Sequence, residues 1–324
     1  MIGHAGAQGA AIEVRGLRKT YGSQIVLDGI DLDVAEGSVF ALLGPNGAGK
    51  TTAVHILSTL IPADGGEARV GGFDIARQPG DVRSRIGLTG QVSAVDPQFT
   101  GEENLRLMAD LHHLGRDAGR RRVAELLERF DLTDAAAKPA MAWSGGMRRR
   151  LDLAMTLVGE PRIIFLDEPT TGLDPRSRRV MWDIVRELVA TGVTVFLTTQ
   201  YLEEADRLAN RIALLDGGRI VAQGTPAELK RLVPGGHVRL EFASVEALDR
   251  AALALDGSGD GRDESALALQ VPNDAGVHSL RALLTTLEAE RIEVEALSVR
   301  SADLDDVFLS LTGHPGDARR VITK

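Results

Sequence analysis

Gly44-Pro45-Asn46-Gly47-Ala48-Gly49-Lys50-Thr51-Thr52 follows directly on the apolar run Val39–Leu43. The spacing G-x-x-x-x-G-K-T puts small residues where a backbone must wrap closely around an anion, and it aims successive N–H groups inward. It also opens a helix whose positive end faces that anion. The stretch reads as a phosphate cradle behind a strand. Lys50 is expected to reach the β- and γ-phosphates of a nucleotide as a point charge, and the Thr51 hydroxyl to ligate a magnesium ion. Thr52 falls in the first turn of the helix.

Outward from the cradle, residues 12–14, 26–34 and 39–43 read as strands broken by the turns Tyr21-Gly22 and Glu36-Gly37. From 102 to 130 the pattern turns helical, with Leu105, Met108, Ala109, Leu111, Val123, Leu126, Leu127 and Phe130 at three- and four-residue spacing. Buried-strand signals return at 163–166 and 193–197, with a helix over 177–189 between them. Strands alternating with helices around a nucleotide loop imply an α/β fold with a largely parallel, covered sheet. Past Pro234-Gly235-Gly236, strands at 237–242, 266–271 and 294–299 and helices at 245–255, 277–290 and 304–311 make a small α+β module. The polar, Gly-rich stretch 256–264 reads as a mobile loop.

The catalytic half of the chemistry stands at Ile163-Ile164-Phe165-Leu166-Asp167-Glu168, an apolar strand ending in two carboxylates. Strand ends on one edge of a parallel sheet lie near one another. Asp167 can therefore hold the magnesium, and Glu168 can orient or deprotonate an attacking water. Trp143-Ser144-Gly145-Gly146-Met147 opens a second helix, over 148–158, and offers a second anion site at a helix N-terminus. One chain already has its cradle, so the spare site points to the γ-phosphate of a nucleotide held by another copy, hence to a dimer closed by ATP.

Composition bounds the rest. With 324 residues, 44% of them apolar, the chain suits two domains with real cores. It has no cysteine, which excludes disulfides, thiolate metal sites and cysteine nucleophiles. Residues 1–11 read as a flexible tail rather than a signal peptide. The longest apolar runs fall short of the ~20 residues that span a bilayer. A formal net charge of −9 argues against broad nucleic-acid binding, so no nucleic-acid partner is expected.

Taken together, these residues resemble the nucleotide-binding subunit of an ABC transporter. The cradle matches Walker A, residues 163–168 match Walker B with its catalytic glutamate, and Ser144, Gly145, Gly146 and Met147 match the signature motif. The resemblance implies a P-loop NTPase over 12–232 with a helical subdomain at about 92–158. A linker at 233–236, a small C-terminal α+β domain at 237–313 and a tail at 314–324 complete the expected division.

It also assigns roles. Tyr21 would stack on adenine, Gln91 would touch magnesium and the lytic water, and Asp174 in Gly172-Leu173-Asp174 would sense the opposing subunit. Gly44, Pro45, Asn46, Gly47, Ala48, Gly49, Lys50, Thr51 and Thr52 would bind the nucleotide. Thr51, Gln91 and Asp167 would manage magnesium, with Glu168, Lys50 and Gln200 catalytic.

Three positions depart from the family pattern. Trp143 replaces the usual leucine and Met147 the usual glutamine. Gln200 stands where a histidine usually contacts the γ-phosphate; its amide can donate the same hydrogen bond but carries no charge and shuttles no proton. Hydrolysis is expected, at a reduced rate.

With Arg148-Arg149-Arg150-Leu151-Asp152 and the terminal Leu304-Asp305-Asp306-Val307-Phe308-Leu309, the match narrows to the daunorubicin-resistance type. That resemblance implies ATP and Mg2+ as cofactors, a homodimer, and a separately encoded integral-membrane permease. It places the chain at the cytoplasmic face of the cell membrane, driving export of a hydrophobic drug or lipid. The competing readings are a soluble ABC-type ATPase and an ATP-responsive regulator. Arg148 to Arg150 read as a solvated helix face, and Leu304, Val307, Phe308 and Leu311 as a core or self-association stripe.

Overall fold

The computed structural model describes residues 9–232, 237–255, 261–272, 277–300 and 303–312. It opens with an antiparallel pair, β1 (Ala10–Tyr21) and β2 (Gln24–Ala35), in which buried Ile12, Val14, Leu32 and Val34 alternate with solvent-facing residues. That period of two is what a half-covered antiparallel sheet requires. β3 (Val39–Leu43) has no alternation because every residue is buried, and it leads through the cradle into α1 (Lys50–Leu57). Then come β4 (Gly65–Val70), β5 (Phe73–Asp74), α2 (Pro79–Arg83) and β6 (Ile86–Thr89). The first sheet runs in the order β2-β1-β4-β5.

Three helices follow, α3 (Gly101–Leu111), α4 (Arg116–Arg129) and α5 (Gly145–Thr156). Thr100 and Glu103 close a reciprocal capping box at the head of α3. The helical stretch expected over 102–130 is two helices, broken after α3 where His113 adopts a φ of 56°. The chain returns to the sheet through β7 (Ile163–Asp167), α6 (Pro175–Ala190), β8 (Thr194–Thr199), α7 (Leu202–Leu208), β9 (Arg211–Asp216), β10 (Arg219–Gly224) and α8 (Pro226–Lys230).

The second sheet runs β10-β9-β3-β8-β7-β6. β9, β3, β8, β7 and β6 are parallel, and β10 is an antiparallel edge. Its register sets Leu43 beside Thr199, Asp167 beside Thr198 and Leu166 beside Thr89. The cradle, the two carboxylates, Gln200 and the loop of Gln91 therefore leave the sheet along one edge, where ligands of such sheets bind. One core joins the inner faces of both sheets to α1, with Phe40 stacked on Phe196 at 5.4 Å.

The chain divides into two compact units, Met1–Pro226 and Ala227–Lys324. In the second, β11 (His237–Glu241), α9 (Val245–Ala254), β12 (Arg262–Asp263), β13 (Ala268–Pro272), α10 (Val277–Ala289), β14 (Ala296–Arg300) and α11 (Leu304–Thr312) build an α+β fold. Its antiparallel sheet runs β12-β13-β11-β14 over a core of its own, with Val238, Leu240, Phe242, Leu248 and Leu269 at the centre.

Two expectations need correction. β1 begins at Ala10 and buries Ala11, so the described part of the tail ends at Gly9. The stretch expected as a mobile loop contains β12, paired with β13; residues 256–260 lie outside the described residues. So do the linker at 233–236, residues 1–8 and the tail at 314–324.

Candidate active site

The cradle closes on glycine. Gly49 sits at φ 108° and a Cβ there would press on the Val26 carbonyl and the Leu27 side chain, so no other residue fits the turn into α1. Lys50 is buried, and its ammonium donates to the Gly44 carbonyl at 2.9 Å and the Pro45 carbonyl at 3.1 Å. It also pairs with Glu168 Oε1 at 3.2 Å. Asn46, Gly47, Gly49, Lys50, Thr51 and Thr52 line one side of a cavity of about 390 Å³, and Gln91 and Glu168 line the other. Val26 of β2 adds an apolar wall that the sequence reading did not include. Gly44, Pro45 and Ala48 do not line it.

The two carboxylates at the end of β7 diverge. Asp167 Oδ1 accepts from the Thr198 hydroxyl at 2.5 Å, while its buried Oδ2 has no hydrogen-bond partner. Glu168 turns into the left-handed region at φ 49°, held there by its N–H, which donates to Thr198 Oγ1 at 3.0 Å. Its Oε2 accepts from the Thr171 hydroxyl at 3.2 Å. No cluster of three or more His, Cys, Asp or Glu exists among the described residues. A magnesium ion, which takes one or two carboxylates and completes its shell with phosphate and water, suits such a donor set. The buried, unpartnered Asp167 Oδ2 would be the oxygen to face it.

Ser144 caps α5, its hydroxyl accepting the Met147 N–H at 3.2 Å. Asp174 caps α6, accepting from the Ser177 hydroxyl at 2.6 Å and from the N–H groups of Ser177 and Arg176. Those bonds, the Ser177 hydroxyl foremost, hold its carboxyl below the ordinary aspartate range. Gly146 lies against Ser177, which brings the two caps together. Ser144, Gly146 and Met147 line a second cavity of about 360 Å³ that shares no residue with the first.

The comparisons bear on this geometry directly. The family model described as ABC transporter matches residues 27–171. The daunorubicin resistance ATP-binding protein DrrA2 of Streptomyces coeruleorubidus is 52% identical over 94% of this chain and 96% of its own length. The chain belongs to the ABC transporter ATP-binding proteins, in the daunorubicin-resistance group. A solved ATP-binding subunit of an ABC transporter superposes with a TM-score of 0.62 at 29% identity, covering 68% of this chain and 92% of the other. A dimeric ATP-binding cassette in a post-hydrolysis state, bound to ADP and Pi, superposes at 0.61 with 25% identity, covering 66% and 98%. The chain is accordingly an ATP-binding and ATP-hydrolysing subunit.

Within this cassette, Asp167, Tyr21 and Gln200, all read from the sequence as parts of the nucleotide site, do not line the first cavity. Tyr21, at the end of β1, is 50% exposed, with the Lys19 ammonium over its ring. Gln200 is half-buried one residue past β8 and does not line the cavity.

The arginine run is not a solvated face. Arg148 donates to the Trp143 carbonyl, Arg150 to the Phe130 carbonyl, and the mostly buried Arg149 turns inward. Burial draws the Arg149 guanidinium down and pushes the Asp152 carboxyl up, and the charge of each opposes that shift in the other. The periodicity carried the signal, because Arg149 shares a helical stripe with Asp152, Leu153 and Thr156. Sequence reasoning also missed Glu204, fully buried on α7 with the Trp182 indole donating to it at 3.0 Å. Burial raises its carboxyl, against the hydrogen bond from the Trp182 indole.

Proposed function

We propose that two copies of this chain sandwich two Mg-ATP molecules head to tail and drive a separately encoded membrane permease that exports a hydrophobic drug or lipid. The observation that carries the reading is the separation of the two anion sites. The cradle and the Ser144 cap occupy different cavities of one chain, so each needs a counterpart from elsewhere to enclose a triphosphate. The relatives named for daunorubicin resistance support the cargo class, and the dimeric cassette supports the assembly.

In this mechanism the cradle N–H groups and Lys50 bind the phosphates, and Tyr21 stacks on adenine. Thr51, Gln91 and Asp167 would hold the magnesium, which screens the phosphate charge when bound. Glu168 orients the lytic water. Its Oε1 is held by Lys50, and a phosphate oxygen that takes the ammonium releases it for that task. Ser144, Gly145, Gly146 and Met147 of the partner subunit, with Gln200, read the γ-phosphate, and Asp174 reports across the dimer.

A cleft of about 360 Å³ between β6 and α5, lined by Leu88, Met108 and Met155 together with Arg83, His112 and Asp152, is the seat we assign to a permease segment of mixed apolar and polar character. Val92, two residues from the cleft and next to Gln91, is 87% exposed, as a relay between permease and water site requires. No helix among the described residues is long and apolar enough to cross a membrane. Attachment at the cytoplasmic face would therefore run through the permease.

The test is Glu168→Gln at saturating Mg-ATP, with and without the co-expressed permease. A stable nucleotide-bound dimer is expected, and a strictly monomeric protein under both conditions would rule the engine out. ATP turnover that never responds to the permease would favour a soluble ATPase or regulator.

A further inference from the structure

Arg149 spends every N–H of its guanidinium on Asp152 and on backbone carbonyls beside Gln91 and at Glu168. Its Nε donates to the Pro169 carbonyl at 2.9 Å, and Nη2 reaches the carbonyls of Asp167 at 3.2 Å and Glu168 at 3.4 Å. Its Nη1 donates to the Gly90 carbonyl at 2.9 Å and to Asp152 Oδ2 at 3.2 Å. The other Asp152 oxygen accepts the Ala94 N–H at 3.1 Å. One side-chain pair on α5 thus grips both ends of the segment that carries Gln91, and three consecutive carbonyls of the turn that carries Glu168. Only arginine has five donors in a fixed fork; lysine has three on a flexible stem. The turn it grips is the one held at a positive φ by Glu168, a conformation that persists only when its surroundings over-determine it.

We infer that Arg149, fixed by Asp152, is a positioning residue that joins the Gln91 loop and the Glu168 turn to the helix capped by Ser144. Displacement of that helix then moves water-orienting base and glutamine as one body. The inference rests on the assignment of Glu168 and Gln91 to the hydrolytic site.

The experiment compares ATP turnover and binding of a non-hydrolysable ATP analogue for the full-length chain carrying Arg149→Lys, Asp152→Asn, Gln91→Ala, and Arg149→Lys with Gln91→Ala. For Arg149→Lys kcat is expected to fall about 10²-fold, the scale of a misplaced catalytic group, with analogue affinity within about 3-fold. The double variant should lose less than the two single losses combined, because the Gln91 loop is common to both, and more than Gln91→Ala alone, because Arg149 also holds the Glu168 turn. Asp152→Asn, which keeps the shape but leaves one acceptor oxygen for the two N–H groups that Asp152 receives, should lower kcat about 10-fold and serves if Arg149→Lys does not fold.

Wild-type kcat in either variant, or kcat and affinity falling in parallel with additive losses, overturns the inference. Glu168→Gln in the same assay separates the two levels. If it turns over ATP at the wild-type rate, the base assignment fails; if it is dead while the Arg149 and Asp152 variants are normal, only the brace fails.

Discussion

Lys50 Nζ and Glu168 Oε1 form an ion pair at 3.2 Å, with both side chains almost wholly buried. The same ammonium is held by two cradle carbonyls, so the cation has fixed partners on one side and an exchangeable one on the other. Phosphate and carboxylate are both anions, and they compete for it. With Lys50 on phosphate and Glu168 as the base, as proposed above, nucleotide binding and release of the base would become one event.

Glu168→Gln removes the competing charge and the proton acceptor together. ATP turnover should fall about 10²–10⁴-fold, the usual worth of a positioned general base, while nucleotide affinity holds or improves. Steady-state hydrolysis alongside equilibrium binding checks both halves, and unchanged turnover contradicts the role given to Glu168.

Gln200→His returns an imidazole to a position one residue past β8. ATPase activity should be kept or raised, since the amide already provides a donor and the ring adds charge. Complete loss of activity would mean that Gln200 does something a histidine cannot.

Trp143 explains its own departure from the family pattern. Its ring lies where a Cβ on Gly101 would stand, at the first turn of α3. Gly101→Ala should destabilise the protein by about 1–3 kcal/mol, as overpacking does, and Trp143→Leu in the same background should restore most of it. Thermal melts of the single and double variants decide; additive losses would show that the two residues do not share the space.

Glu204 gives a pH dependence of defined sign. Burial raises its carboxyl, so the native state keeps a proton that the unfolded chain releases near the ordinary value of about 4.3. Wild-type stability is therefore lost as pH rises through that range. Glu204→Gln removes this loss. Its melting temperature relative to wild type should be higher at pH 8 than at pH 4; a gap that narrows with rising pH would contradict the raised carboxyl.

The cradle, the Asp167-Glu168 pair and the Ser144 cap were legible because each is contiguous, and a backbone demand writes its residue types in order. β4 and β5 were not, since Gly65 to Val70 carries two glycines and only Ala68 and Val70 face the core. Thr198 was invisible for a different reason. It serves Asp167 and Glu168 across neighbouring strands, 31 and 30 residues away in sequence, and only the register of β7 against β8 reveals it. Arg149 was misread because three arginines in a row look solvated in one dimension, whereas the helix turns the middle one inward.

The end of β8 has a further consequence. The Gly44 amide donates to the Thr199 carbonyl and the Glu168 amide to the Thr198 carbonyl, so the nucleotide loop and the base hang from adjacent peptides of a single strand. Fraying of those two peptides unfastens both at once. Amide hydrogen exchange at Gly44 and Glu168 should share one opening free energy and shift together when ATP is added. A shared value would mean that the loop and the carboxylate open together rather than one at a time.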